Sequence, residues 1–71
     1  MTIADSFKRF RKGRGLTQQE VAEALDIHKQ AWQRYESGKV VPSATFVKDL
    51  SEAFSVSTDY LMGLTNNPQR L

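Results

Sequence analysis

Helix-stopping and helix-capping residues recur along this chain about every ten residues, and they cut it into segments too short for anything but a bundle of small helices. Between the stops, apolar residues repeat at three- and four-residue intervals and never alternate as a strand would. Ile3, Phe7 and Phe10 mark a first helix that Gly13 and Gly15 end. Thr17-Gln18-Gln19-Glu20 reads as a capping box, in which the threonine hydroxyl accepts from a first-turn N–H while the glutamate folds back. Val21, Ala22 and Leu25 continue that second helix as an apolar stripe. A third segment runs from Lys29 to Glu36 and stops at Ser37-Gly38, glycine suiting the left-handed residue after a helix end. Pro42-Ser43 opens a fourth helix carrying Val47, Leu50 and Phe54. Ser57 caps a short fifth helix, with Asp59 near its positive end and Tyr60, Leu61 and Leu64 on its apolar side. The pattern predicts an all-α fold of five helices over residues 1–65, followed by a flexible tail over 66–71.

Size and composition then remove most chemistry. A chain of 71 residues holds one core, and a domain so small buries only about 60% of its unfolded surface. Cysteine is absent, which excludes disulfides and thiolate ligands. His28 is the single histidine and cannot form a metal or catalytic cluster alone. With no nucleophile–base pair and no phosphate-cradling glycine loop, no enzyme, metal or cofactor is expected. No apolar run approaches the roughly 20 residues of a membrane span and no signal-peptide core is present, so no membrane partner and a cytoplasmic location are expected.

The formal charge of +2 is unevenly placed. Residues 1–39 hold eight Lys/Arg against five Asp/Glu, whereas residues 40–71 hold two against three. Lys8, Arg9, Arg11, Lys12 and Arg14 run uninterrupted by any acid. Such a cluster is as often a solvated face as a polyanion site.

The third helix sharpens this. At 100° per residue Trp32 and Tyr35 fall about 60° apart and mark its buried side. Gln30, Gln33, Arg34 and Ser37 lie opposite, with Lys29 on the flank, and that face holds no acid and no large apolar group. Glutamine and arginine carry the paired donors and acceptors that match adenine and guanine edges in the major groove, although both are also common on ordinary solvated faces. The preceding helix presents Gln18 and Gln19 in its first turn, where unpaired N–H groups suit a phosphate, and Glu20 belongs to its cap. Two short helices joined by a few residues, the second with such a face, form the helix-turn-helix arrangement.

Leu16-Thr17-Gln18-Gln19-Glu20-Val21-Ala22, then Tyr35-Glu36-Ser37-Gly38-Lys39 and Pro42-Ser43, resemble the phage repressor/Cro (XRE-type) helix-turn-helix family. Leu50 to Val56 and Asp59-Tyr60-Leu61 match that family's fourth and fifth helices, so the resemblance covers roughly residues 5–64. It implies a lambda-repressor-like domain of a bacterial or phage transcription regulator, a repressor that binds double-stranded DNA as a homodimer. It further implies base reading by Lys29, Gln30 and Arg34 with Gln33 beside them. Phosphate contact would fall to Gln18 and Gln19 at the second helix and to Ser37 and Lys39 after the third. Ala22 matches the small residue at which the two helices cross, and Arg11 and Glu36 match a salt bridge between the first and third helices.

Several positions depart from that pattern. Asp26 and Ser55 stand where glycine is usual, Trp32 replaces an aliphatic residue beneath the recognition helix, and Val40 and Val41 replace residues that are often basic. His28 falls at a helix cap, as a weak cap or phosphate neighbour, and Phe46 reads as satellite core. Tyr60, Met62 and Leu64 cannot all face inward from so short a helix and mark a candidate dimer surface. Two other readings fit the same fold: an antitoxin that also binds a toxin, or a helical interaction module without DNA binding. The protein partner would then be a toxin or an anti-repressor.

Overall fold

A hydroxyl or hydroxyl-like cap sets where most of the helices begin. Thr2, Thr17, Ser43 and Ser57 each accept a hydrogen bond from the backbone N–H three residues on, satisfying a donor that the first turn leaves free. At Thr17 the box is reciprocal: Glu20 N–H donates to Thr17 Oγ1 at 3.0 Å and Thr17 N–H donates to Glu20 Oε1 at 2.9 Å. The Thr17 backbone N–H and, after it, the Thr17 hydroxyl act on the Glu20 carboxyl and hold it below its ordinary value. His28 occupies the cap of the third helix and makes no side-chain bond there.

The computed structural model describes residues 1–70 and contains α1 (Ile3–Gly13), α2 (Gln18–Ala24), α3 (Lys29–Ser37), α4 (Ala44–Phe54) and α5 (Thr58–Leu61). No strand forms among the described residues; Val56 and Gln69 make an isolated antiparallel bridge. The all-α, five-helix expectation therefore holds, with α3 one residue longer than the spacing predicted.

A left-handed residue follows each helix, and at two of the five it is not glycine. Gly38 ends α3 at φ 80°, and two non-glycine residues, Asp26 at φ 56° and Ser55 at φ 51°, do the same after α2 and α4. The carbonyl of Ala22 accepts from Ile27 N–H at 3.0 Å across the Asp26 turn, and that of Ser51 accepts from Val56 N–H at 3.1 Å across the Ser55 turn. Asparagine- and aspartate-like side chains enter this region at lower cost than serine does.

Each helix turns an apolar stripe inward. α3 packs on α1 and α2, and α5 packs on α1 and α4, so α1 serves both halves. Phe7, fully buried, lies stacked on Trp32 with ring centres 5.3 Å apart and planes 12° from parallel. Tyr35 and Phe46 complete this aromatic group, 4.6 Å from each other, with Tyr35 edge-on to Phe7. Phe46 thus joins the core margin as its spacing predicted. Phe10 and Phe54 form a second, T-shaped pair at 5.3 Å. Val21, Ala22, Leu50, Val56 and Leu61 fill the space between the groups.

The segment 66–71, expected to be a flexible tail, has specific partners among its described residues. Ser57 N–H donates to Pro68 O at 2.9 Å. Arg9 donates to Asn66 Oδ1 at 2.9 Å and to the carbonyls of Tyr60 and Thr65 at 3.0 and 3.1 Å. Leu71 lies outside the described residues. No described helix is long and apolar enough to cross a membrane.

Candidate nucleic-acid interface

α3 owes its orientation to two buried side chains, Trp32 and Glu36. Trp32 is fully buried, and its position fixes which residues of the helix look outward. Lys29, Gln30, Gln33, Arg34 and Ser37 are all exposed, as the helical spacing predicted. No acidic residue stands in the first turn of α3, and its acid, Glu36, points inward and is 6% exposed.

Glu36 is held by three elements at once. Arg11 from α1 grips it with both arms of the guanidinium, Nε to Oε2 at 2.7 Å and Nη2 to Oε1 at 3.1 Å. The remaining Arg11 nitrogen donates to Leu16 O at 2.9 Å, tying in the α1–α2 loop. The indole N–H of Trp32, one helical turn back, donates to Glu36 Oε2. Burial pushes the Glu36 carboxyl up, but the Arg11 bonds and charge, the Trp32 bond and a bond from Gln18 outweigh it and leave the group below its ordinary value. The pair is the one ion pair among the described residues and lies where the family resemblance implied.

That network sets the register between α2 and α3. The Gln33 amide donates to Gln18 Oε1 at 3.1 Å, so the second helix's first turn and the third helix's outer face form one surface. Gln19 is exposed and bonds Glu23 one turn on. After α3, the Arg34 carbonyl accepts from Lys39 N–H at 3.0 Å and from Ser37 Oγ at 3.2 Å, which fixes Lys39 beside the helix end. Gln30, Gln33, Arg34, Ser37 and Lys39 line one shallow concavity of about 270 Å³. Lys29 instead joins Gln18 and Gln19 in a second concavity, between α1, α2 and α3. Val40 and Val41 follow Lys39 and are exposed.

The basic run of α1 divides by residue type. Arg9 lies over the Tyr60 ring, 3.9 Å from guanidinium carbon to ring centre, while it holds the C-terminal segment. Arg14 donates to Phe54 O at 2.7 Å, at the end of α4, where a cation suits the exposed carbonyls. With Arg11 on Glu36, all three arginines bind the protein itself, and Lys8 and Lys12 remain exposed. Sequence reasoning singled out Arg11 and not Arg9, whose partners lie more than fifty residues away. The Trp32 bond to Glu36 was also missed, although its four-residue spacing could have disclosed it.

Of the three residues offered as a dimer surface, Tyr60 lies inside, 9% exposed beneath the Arg9 guanidinium. Met62 and Leu64 remain outside, 39% and 75% exposed. No group of three or more potential metal ligands is assembled among the described residues.

A family model described as helix-turn-helix covers residues 7–61. The chain belongs to the helix-turn-helix family. It is of the XRE/Cro type, a family of DNA-binding transcription regulators and not of enzymes. Over 62 residues it is 36% identical to the HTH-type transcriptional activator BcrR of Enterococcus faecalis, covering 87% of this chain and 30% of that protein. Over 63 residues it is 36% identical to the HTH-type transcriptional regulator ImmR of Bacillus subtilis, covering 89% of this chain and 50% of the relative. A solved transcriptional regulator from Listeria innocua superposes with a TM-score of 0.76 at 27% identity, over 93% of this chain and 62% of that one. The helix-turn-helix domain therefore spans about half or less of the length of these curated relatives.

Proposed function

We propose that this helix-turn-helix domain binds a specific operator in duplex DNA as a homodimer, reading the major groove with α3 and acting as a repressor in the cytoplasm. The observation that carries the reading is the acid-free outer face of α3, locked to the first turn of α2 by the Gln33–Gln18 bond. Lys29, Gln30, Gln33 and Arg34 then read base edges, arginine suiting guanine and glutamine suiting adenine. Gln18, Gln19, Ser37 and Lys39 flank that face and take phosphates. Repression needs only that the operator be occupied, whereas activation needs a further protein contact.

Selection of bound sequences from a random duplex pool tests the reading. Enrichment of an inverted repeat is expected, and a pool that emerges without a consensus refutes sequence-specific binding. Placing the enriched site over a promoter then separates repression from activation by the sign of the change in transcription.

Exposed Val40 and Val41 favour one alternative, in which the domain is an antitoxin and a toxin or anti-repressor covers this loop beside α3. Co-purification of a neighbouring gene product that is lost in V41D but retained in M62D would support it.

A further inference from the structure

Five cations crowd seven residues of α1 and its end, and the structure leaves two of them without work. Arg9 is bound to the C-terminal segment, Arg11 to Glu36 and Leu16, and Arg14 to the last turn of α4. Lys8 and Lys12 are exposed and form no ion pair among the described residues. Spaced four apart, they stand one above the other on a single face of α1.

That face is not a separate surface. Lys8 and Lys12 border the concavity, about 590 Å³ and open to solvent, whose far wall is Gln18, Gln19 and Lys29. The acid at its margin, Glu36, is neutralised by Arg11 at 2.7 Å. Three free ammonium groups therefore surround a concavity with no unpaired acid. An isolated cation on a surface gains little from a counter-charge, but several that converge on one hollow attract an extended polyanion. Lysine suits this, since its ammonium is a point charge that can follow a phosphate, whereas the arginines' planar forks are committed to fixed partners.

We infer that Lys8 and Lys12 form an additional contact site on α1 for the phosphodiester backbone of the bound duplex, extending the footprint beyond the helix-turn-helix itself. This rests on the reading of the domain as a DNA binder. The ligand is sugar-phosphate and not base, so the site adds affinity at any sequence and leaves the choice of operator to α3.

The test measures affinity for the selected operator and for a random duplex across a salt series, using the full chain and its K8Q, K12Q and K48Q variants. Each neutralised phosphate contributes about 0.9 to the slope of log affinity against log salt. Per protomer, K8Q and K12Q should each lower that slope by about 1, on both duplexes, while operator preference stays unchanged. K48Q removes the same charge from α4, where Lys48 faces a hollow it shares with Glu52 and Asp59, and should leave the slope as it is. Equal losses in all three variants would mean net charge alone and overturn the inference, as would unchanged slopes in K8Q and K12Q. Failure of the unaltered chain to bind any duplex overturns instead the reading on which it rests. All three lysines are exposed, and thermal unfolding checks that each variant is folded.

Discussion

Arginine and lysine count alike in a charge tally and behave differently on this protein. Arg9, Arg11 and Arg14 each bond to backbone or carboxylate within the fold, because a planar fork with several donors can satisfy distant acceptors together. Arg34 is exposed on the outer face of α3, so its fork is open to a base. Arg34→Ala should cost roughly 1–3 kcal/mol on the preferred operator and relax the choice at one base pair. Lys39→Ala should instead weaken specific and random duplexes alike and lower the salt slope by about 1. Equal losses on every sequence for Arg34→Ala would contradict its role. Arg11 differs from both, since Glu36 would be left buried without its cation. Arg11→Ala should therefore destabilise the fold by about 3 kcal/mol, and a double-mutant cycle with Glu36→Gln should show coupling. The Glu36 carboxyl titrates below its ordinary 4.5 when folded, so its contribution is complete above that value. It drains away as pH falls through the folded value, and Glu36→Gln should flatten the acid limb of stability. At this scale the outward residues of α3 were legible from 100° spacing alone. Arg9's clamp was not, because its partners are brought close only by α5 packing on α1.

Element boundaries followed local chemistry wherever a cap or a glycine was present. Thr17, Gly38, Ser43 and Ser57 all stand where the sequence placed them, since a cap bond involves residues only three apart. The left-handed turns at Asp26 and Ser55 are different, because the backbone there adopts a conformation those side chains resist. A non-glycine residue in this region costs roughly 1–2 kcal/mol, less for aspartate than for serine. Ser55→Gly should therefore raise unfolding free energy by about 0.5–1 kcal/mol in urea titration after the entropy of the freer unfolded chain is subtracted. Asp26→Gly should gain less. Gly63 tests the converse, for it sits at φ 80° and an added Cβ would come within 2.9 Å of both Met1 O and Ser6 Oγ. Gly63→Ala should lower stability, and no loss would mean that the N-terminal residues yield easily. Nothing nearby in sequence announced that contact, which joins opposite ends of the chain.

On the scale of the whole molecule, one recognition helix is too short to specify an operator. In the proposed complex Lys29, Gln30, Gln33 and Arg34 would span about four base pairs, and two copies of such a motif would place their helices about 34 Å apart, one turn of duplex. An operator with half-sites centred about 10 base pairs apart is expected. Inserting five base pairs between them should abolish cooperative protection in footprinting, and indifference to the insertion would refute a rigid dimer. Met62 and Leu64 are the exposed apolar pair near the end of α5, so M62D with L64D should weaken occupancy of the two half-sites while a single half-site is still bound. Tyr60, within α5 itself, should not behave this way, since its change would unseat Arg9 and the C-terminal segment.

By itself the sequence determined the number of helices, where their caps fall and the outward face of α3, and so the family to which the domain belongs. These rest on interactions between residues one to four apart, whose geometry any helix supplies. Only the tertiary structure decided which cations of the basic run stay free, which member of the Tyr60–Met62–Leu64 set is buried, and that the segment after Leu64 lies against α1. Each of those depends on packing between residues 25 to 57 positions apart, where α3, α4 and α5 meet α1, which no local periodicity encodes.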